Sequence, residues 1–251
     1  MIAAGVRIYA SHMSRSVLSI VFNVMTPLVY GSIALLLYRG DEPAGHLLQI
    51  SVGAGLMGIW TSVLFGSGSA MRNLRLGGLL ESLVVTPTPF SLILFPITLT
   101  TAIVGTYAMV ATVIWSAVAF DVPLTFPAPL TFICSVLVCV LSMGMMGMLL
   151  ASTFIFLNNA NALMNALDHP IWLLSGMLVP ITTLPDWLQP ISWALPTTWA
   201  AKAVHDSVEY GSAFWPIVAA LGVGAAYFCL SVLAIRRVER LARKKATLAL
   251  T

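Results

Sequence analysis

Charge is scarce in this sequence. Only 8% of its 251 residues are Asp, Glu, Lys or Arg, against 59% hydrophobic residues. A water-soluble domain carries roughly 25% charged residues. A soluble fold of this length could not hide so much apolar surface, so lipid is the expected solvent for much of the chain. Lysine is rarer still: Lys202, Lys244 and Lys245 are the only ones, and none follows a glycine. A phosphate-binding loop of the GxxxxGK[ST] type needs that lysine beside Gly-rich backbone amides. The chain therefore lacks the means to bind and split ATP in that manner. Cysteine is limited to Cys134, Cys139 and Cys229, all inside apolar runs and none in a CxxC. They read as small buried hydrophobes, not metal ligands. No cleavable signal is evident, because the first apolar run exceeds the ~7–15 residues of a typical signal core. Internal repeats, low-complexity tracts and a soluble domain are also missing, and the net charge of +3 gives no reason to expect nucleic acid.

What the chain does have is long apolar runs. A span needs ~20 mostly apolar residues to cross ~30 Å of hydrocarbon. Six stretches qualify: Ser16 to Tyr38, His46 to Ala70, Phe90 to Phe120, Pro129 to Phe156, Asn161 to Ile181 and Phe214 to Ile235. The uncharged turn Leu157-Asn158-Asn159-Ala160 separates the fourth from the fifth. The positive charges choose the orientation. With the N-terminus inside, the inner segments hold Arg7, Arg15, Arg72, Arg75, Arg236, Arg237, Arg240, Arg243, Lys244 and Lys245, while the outer ones hold only Arg39 and Lys202. The positive-inside rule then puts both termini in the cytoplasm.

Two segments outside the spans carry pattern. The inner loop, residues 71–87, places Leu76, Leu79, Leu80 and Leu83 on one helical stripe with Glu81 opposite, ahead of Pro87 and Pro89. A short amphipathic helix along the inner surface is expected, either as an interfacial anchor or as a contact for a cytoplasmic partner. The outer segment, residues 182–212, holds Pro185, Trp187, Trp193, Pro196 and Trp199. It is too apolar for a free loop and too broken by proline for one span. Short helices dipping back into the outer leaflet would satisfy its backbone if protein covers them.

The motif Arg75-Leu76-Gly77-Gly78-Leu79-Leu80-Glu81-Ser82-Leu83-Val84-Val85-Thr86-Pro87 resembles the pattern that follows the second span in the type-2 ABC transporter permease family. The segment from Leu174-Ser175-Gly176 through Pro180 and Leu184-Pro185-Asp186-Trp187 resembles the same family's passage from the fifth span to a re-entrant segment. The two motifs fall about a hundred residues apart, in the family's order, and the likeness extends over nearly the whole chain. The resemblance implies an all-α membrane protein with six transmembrane helices, an N-terminal amphipathic helix (1–15) and short re-entrant helices between spans five and six. It implies a permease paired with a second permease, the same or homologous, and with two separate ABC ATPase subunits that bind ATP and Mg. No cofactor is expected in this chain itself. It further implies that residues 71–87 form a coupling helix seated on the ATPase, with Arg72, Arg75, Gly78, Glu81, Leu83, Thr86 and Pro87 as the contact set. Ser175, Gly176, Pro180, Pro185 and Trp187 belong to the re-entrant passage. Export across the cytoplasmic membrane follows from the likeness; the cargo does not follow from any residue. An amphiphilic small molecule, such as a drug or antibiotic, or a lipid suits the short outer segments and apolar interior. A lipid-linked glycan or polysaccharide is the alternative.

Polar residues inside the spans are costly, ~2.5 kcal/mol or more for a charge at the centre, so they should face protein or water. Asn161, Asn165 and Asp168 recur at i, i+4 and i+7, with His169 beside them. They form either a polar strip along the pathway or dimer seam, or a group in which Asp168 pairs with a neighbour near the inner interface. Asn23 in span one is a similar candidate, and Pro27 and Pro170 should kink their helices. The small residues Ala54, Gly58 and Ser62, and Gly147 and Ala151, permit close helix approach, within the chain or across a dimer. Met143, Met145, Met146 and Met148 spread around their helix and read as filler. The basic tail from Arg236 to Lys245 suits anionic lipid. Two other classes were weighed. An intramembrane serine hydrolase would need Gly-x-Ser-Gly where this chain has Leu173 two residues before Ser175. A secondary transporter should show internal repeats and more midplane charges than Asp168 and His169.

Overall fold

A computed structural model of the chain describes residues 17–38, 44–76, 91–154 and 160–248, with side chains for 25–37, 46–71, 91–154 and 160–237. The described residues hold eight α-helices and no strand: α1 (Val17–Tyr38), α2 (Ala44–Leu76), α3 (Ser91–Phe120), α4 (Pro129–Phe154), α5 (Ala160–Leu174), α6 (Gln189–Ala194), α7 (Pro196–Glu209) and α8 (Phe214–Leu248). A single 3-10 turn, Ile181–Thr183, lies between α5 and α6. The expected interfacial segment 1–15 and most of the inner loop lie outside the described residues.

Among the described residues, four stretches of helix are long and apolar enough to cross a membrane: His46–Met71, Ser91–Phe120, Pro129–Phe154 and Phe214–Arg237. A shorter apolar stretch, Met25–Leu37, falls in α1. The chain is a multi-pass membrane protein. Its outer faces agree with lipid as solvent: Tyr107, Val110, Ile114 and Val118 on α3 and Leu130, Ile133 and Leu137 on α4 are all exposed.

α2 is the hub, with α1, α3, α4, α5 and α7 against it. Its apolar stretch is 89% buried, against 17% for that of α8. Small residues explain how one helix can take so many neighbours. A Cβ on Gly58 would lie 2.8 Å from Ala108 Cβ of α3 and 3.1 Å from Pro27 Cγ of α1. On Gly105 of α3 it would lie 2.6 Å from the Ile59 backbone. The small-residue stripes therefore serve packing within the chain. Buried hydroxyls are accommodated locally: Thr100 donates to Pro96 O at 2.6 Å and Thr112 to Ala108 O at 2.8 Å. Such bonding back to the preceding turn lets a polar residue sit in an apolar helix. Ser142 of α4 instead reaches across to Ala220 O of α8, at 3.1 Å.

The fifth stretch departs from expectation. A continuous helix to Ile181 was predicted, but α5 ends at Leu174 after 15 residues, about 22 Å of rise. The stop is a Schellman cap. Gly176 takes φ +68°, its N–H reaches Leu173 O at 3.3 Å, and the N–H of Met177 reaches Trp172 O at 3.4 Å. Glycine adopts that conformation without the Cβ penalty. Residues 182–212 hold short helices, α6 and α7, which follow the turn Ile181–Thr183. α7 is covered by α2, α4 and α8, and its Ala200, Ala201, Ala203 and Val204 are fully buried.

Candidate functional site

Two polar regions stand out, both anchored on α2. The first lies between α2, α5 and α1. Met164, Asp168, Ile171 and Trp172 form the buried side of α5. Asp168 turns into the chain, where its Oδ1 accepts a hydrogen bond of 3.1 Å from Thr61 Oγ1 of α2. Asn161, Asn165 and His169 face outward, and Asn165 Nδ2 donates to Asn161 O at 3.0 Å. The strip read from the sequence is thus divided. Asn165 sits about 60° round the helix from Asp168, which is enough to put one outside and the other inside. His169 joins an aromatic cluster: its ring is 4.7 Å from Trp172 and 6.5 Å from Tyr30 of α1, and the Tyr30 and Trp172 rings are 5.3 Å apart. Trp172 is buried, and its Nε1 has no hydrogen-bond partner among the described residues.

The second region joins the first turns of α2 to α7 and to the turn after α5. His205 Nε2 lies 3.1 Å from the Met177 carbonyl oxygen. Burial holds its pKa below the ordinary histidine value of 6.5, although Met177 O, Asp206 and Glu209 pull the other way. Gly53 of α2 faces the same carbonyl; a Cβ there would collide with Met177 O and lie 3.3 Å from His205 Cε1. Nearby, Lys202 pairs with Asp206 one turn on, Nζ to Oδ2 at 3.2 Å, and Gln49 Nε2 of α2 donates to Glu209 Oε2 at 2.7 Å. These groups border a cleft of about 360 Å³ that also meets Trp193 and Tyr210. Ser175, beside Gly176 of the cleft wall, is fully buried, with its hydroxyl 2.6 Å from that of Thr197.

The family to which these features belong is decided by comparison. Residues 3–208 match the sequence model of the ABC-2 type transporter. The chain belongs to that family. The match covers both polar regions except Glu209, the last residue of α7. No match is found among curated proteins. The ABC-2 membrane domain is a transmembrane permease domain and not an ATPase.

Within this ABC-2 permease domain, two of the expected coupling residues sit at the far end of α2 from the cleft. Arg72 and Arg75 fall in its last turns, which run unbroken to Leu76; Gly78, Glu81, Leu83, Thr86 and Pro87 lie outside the described residues. Asn23 is on α1, outside the described side chains. In the re-entrant passage, Ser175 and Gly176 form the cap of α5, Pro180 borders the cleft, and Pro185 accepts from the N–H of Leu188 at 2.8 Å. Trp187 is 71% exposed, as a residue at the lipid–water boundary would be. Ser175 and His169 are not brought together, since their side chains engage Thr197 and Trp172 respectively.

Sequence reasoning missed Tyr30, Trp172, Thr61, Gln49 and His205. Lys202, Asp206 and Glu209, at i, i+4 and i+7, carried a visible signal of one charged helix face. Gln49 is 160 residues from its partner, a pairing that only the fold reveals.

Proposed function

We propose that this chain is the permease subunit of an ATP-driven exporter in the cytoplasmic membrane, moving an amphiphilic small molecule (a drug or antibiotic) or a lipid outward. It crosses the membrane six times with both termini inside. α1 and α5, with the described caps and turns, complete crossings that the four longer helices begin. It works as a pair with a second permease and is driven by two ABC ATPase subunits, which bind the ATP and Mg. Residues 71–87 transmit their motion, with Arg72, Arg75, Gly78, Glu81, Leu83, Thr86 and Pro87 at the contact.

The observation that carries the reading is the outward face of α5. Asn161, Asn165 and His169 are exposed on a helix of a membrane protein, where bare lipid would leave their polar groups unpaired at a cost of several kcal/mol, about 2–7 each. A water-filled pathway or a second permease satisfies them. The exposed ring of Tyr30 beside His169, backed by the buried Trp172, gives that face an apolar component, which suits an amphiphilic cargo. Family membership supports the ATPase partnership. The test is coupling: Arg75→Ala and Glu81→Ala are each expected to cut cargo-stimulated ATP hydrolysis and transport at least severalfold while membrane insertion is unchanged. Unaltered transport in both variants overturns the coupling assignment.

A further inference from the structure

We propose that the cleft between the first turns of α2 and the end of α7 is a binding site for an amphiphilic organic cation, with the Glu209 carboxylate as counter-ion. Its volume, about 360 Å³, lies within the range of small-molecule sites, ~300–1,000 Å³. Charge decides what it takes. The charged residues on its wall are Lys202, Asp206 and Glu209. Lys202 is committed to Asp206, with its Nζ 3.2 and 3.3 Å from the two carboxylate oxygens. Glu209 is held by the Gln49 amide and the Tyr210 hydroxyl, two neutral donors that orient a carboxylate without neutralising it. One formal negative charge is therefore left over on the described wall, fixed in position.

The rest of the wall matches a cation with an apolar body. Trp193 and Tyr210 border the cleft, and aromatic rings attract an onium or ammonium group. Trp193 is held in place by Trp199, whose ring is 4.9 Å away and whose Nε1 donates to Trp193 O at 2.9 Å. A second cavity of about 570 Å³ shares His46, Gln49, Pro180 and Glu209 with the first and adds Leu48, Thr125, Pro127 and Val208. The Gln49–Glu209 pair thus borders both cavities. An organic cation is favoured over a metal ion because no group of three His, Cys, Asp or Glu among the described residues is arranged to hold one.

The experiment is equilibrium binding to the full chain in zwitterionic-lipid nanodiscs, with empty nanodiscs subtracted. No ATPase is present, so the result is independent of the transport reading. The probes are tetraphenylphosphonium and its anionic isostere tetraphenylborate. Saturable phosphonium binding is expected, weakened about tenfold or more by Glu209→Gln, which removes one charge contact worth ~1.4 kcal/mol. Lys202→Ala frees Asp206 and is expected to tighten phosphonium binding severalfold, a gain that misfolding cannot mimic. Tetraphenylborate should find no saturable site. Absent phosphonium saturation, an unchanged Glu209→Gln affinity, weaker binding in Lys202→Ala, or borate binding as tight as phosphonium would each overturn the proposal.

Discussion

His205 Nε2 meets the carbonyl oxygen of Met177 at 3.1 Å, across 28 residues of sequence. The contact ties α7 to the turn that stops α5, and Gly53 of α2 leaves the room for it. Three elements converge on one backbone carbonyl, so the contact sets where the outer segment sits on the hub helix.

Gly53→Ala tests that convergence. The added methyl would strike the Met177 carbonyl, a backbone atom that cannot rotate away. The expected cost is about 1–3 kcal/mol, the usual range for overpacking, read as a lower melting temperature in detergent. Gly222→Ala is the control. A Cβ there meets nothing within 4 Å, and alanine is the better helix former by about 1 kcal/mol, so its melting temperature should hold or rise.

Burial of His205, which the Met177 contact only partly offsets, makes stability depend on pH. The folded chain holds the His205 pKa below 6.5, so near that pH the unfolded chain binds the proton more readily than the folded one. The stabilisation is complete above pH 6.5 and is lost as pH falls through the lower folded value. Wild-type melting temperature should therefore fall between about pH 7 and about pH 5. His205→Gln, which does not titrate, should fall less. Equal slopes would show that the histidine is not the sensor.

Much of this was legible in the residues. Composition called for a membrane protein, and apolar length located the four membrane-crossing stretches to within a few residues, though α2 and α8 run on past them to Leu76 and Leu248. The cap at Gly176 was readable too, as a glycine after a periodic run, yet the continuing apolar residues from Met177 to Ile181 hid it. Of these, Met177 is fully buried and Val179 is exposed; an apolar turn has the same composition as the continuation of a span. The division of Asn165 from Asp168 was not legible, because a spacing of three residues straddles the edge of a helix face and only the position of α2 says where that edge falls. His205 was invisible as a contact because its partner is a backbone carbonyl, which any residue could supply.

Thr61→Val tests the buried pair in the first region. It keeps the shape and removes the Thr61 hydroxyl, which donates to Asp168 Oδ1 at 3.1 Å. Leaving the buried acceptor unpaired should cost about 1–3 kcal/mol. Asp168→Asn retains an acceptor oxygen for Thr61 and should cost less. A Thr61→Val protein as stable as wild type would mean that the bond contributes nothing to the α2–α5 packing.

The central claim is that this permease is moved by a separate ATPase. The most direct measurement is transport by the chain purified from its native membrane and reconstituted in vesicles, driven either by ATP or by an imposed proton gradient. The account predicts that the preparation carries ATPase subunits, that uptake into inside-out vesicles requires ATP hydrolysis, and that Glu81→Ala abolishes the coupling. Transport by the chain alone, powered by the proton gradient and indifferent to ATP, would contradict it.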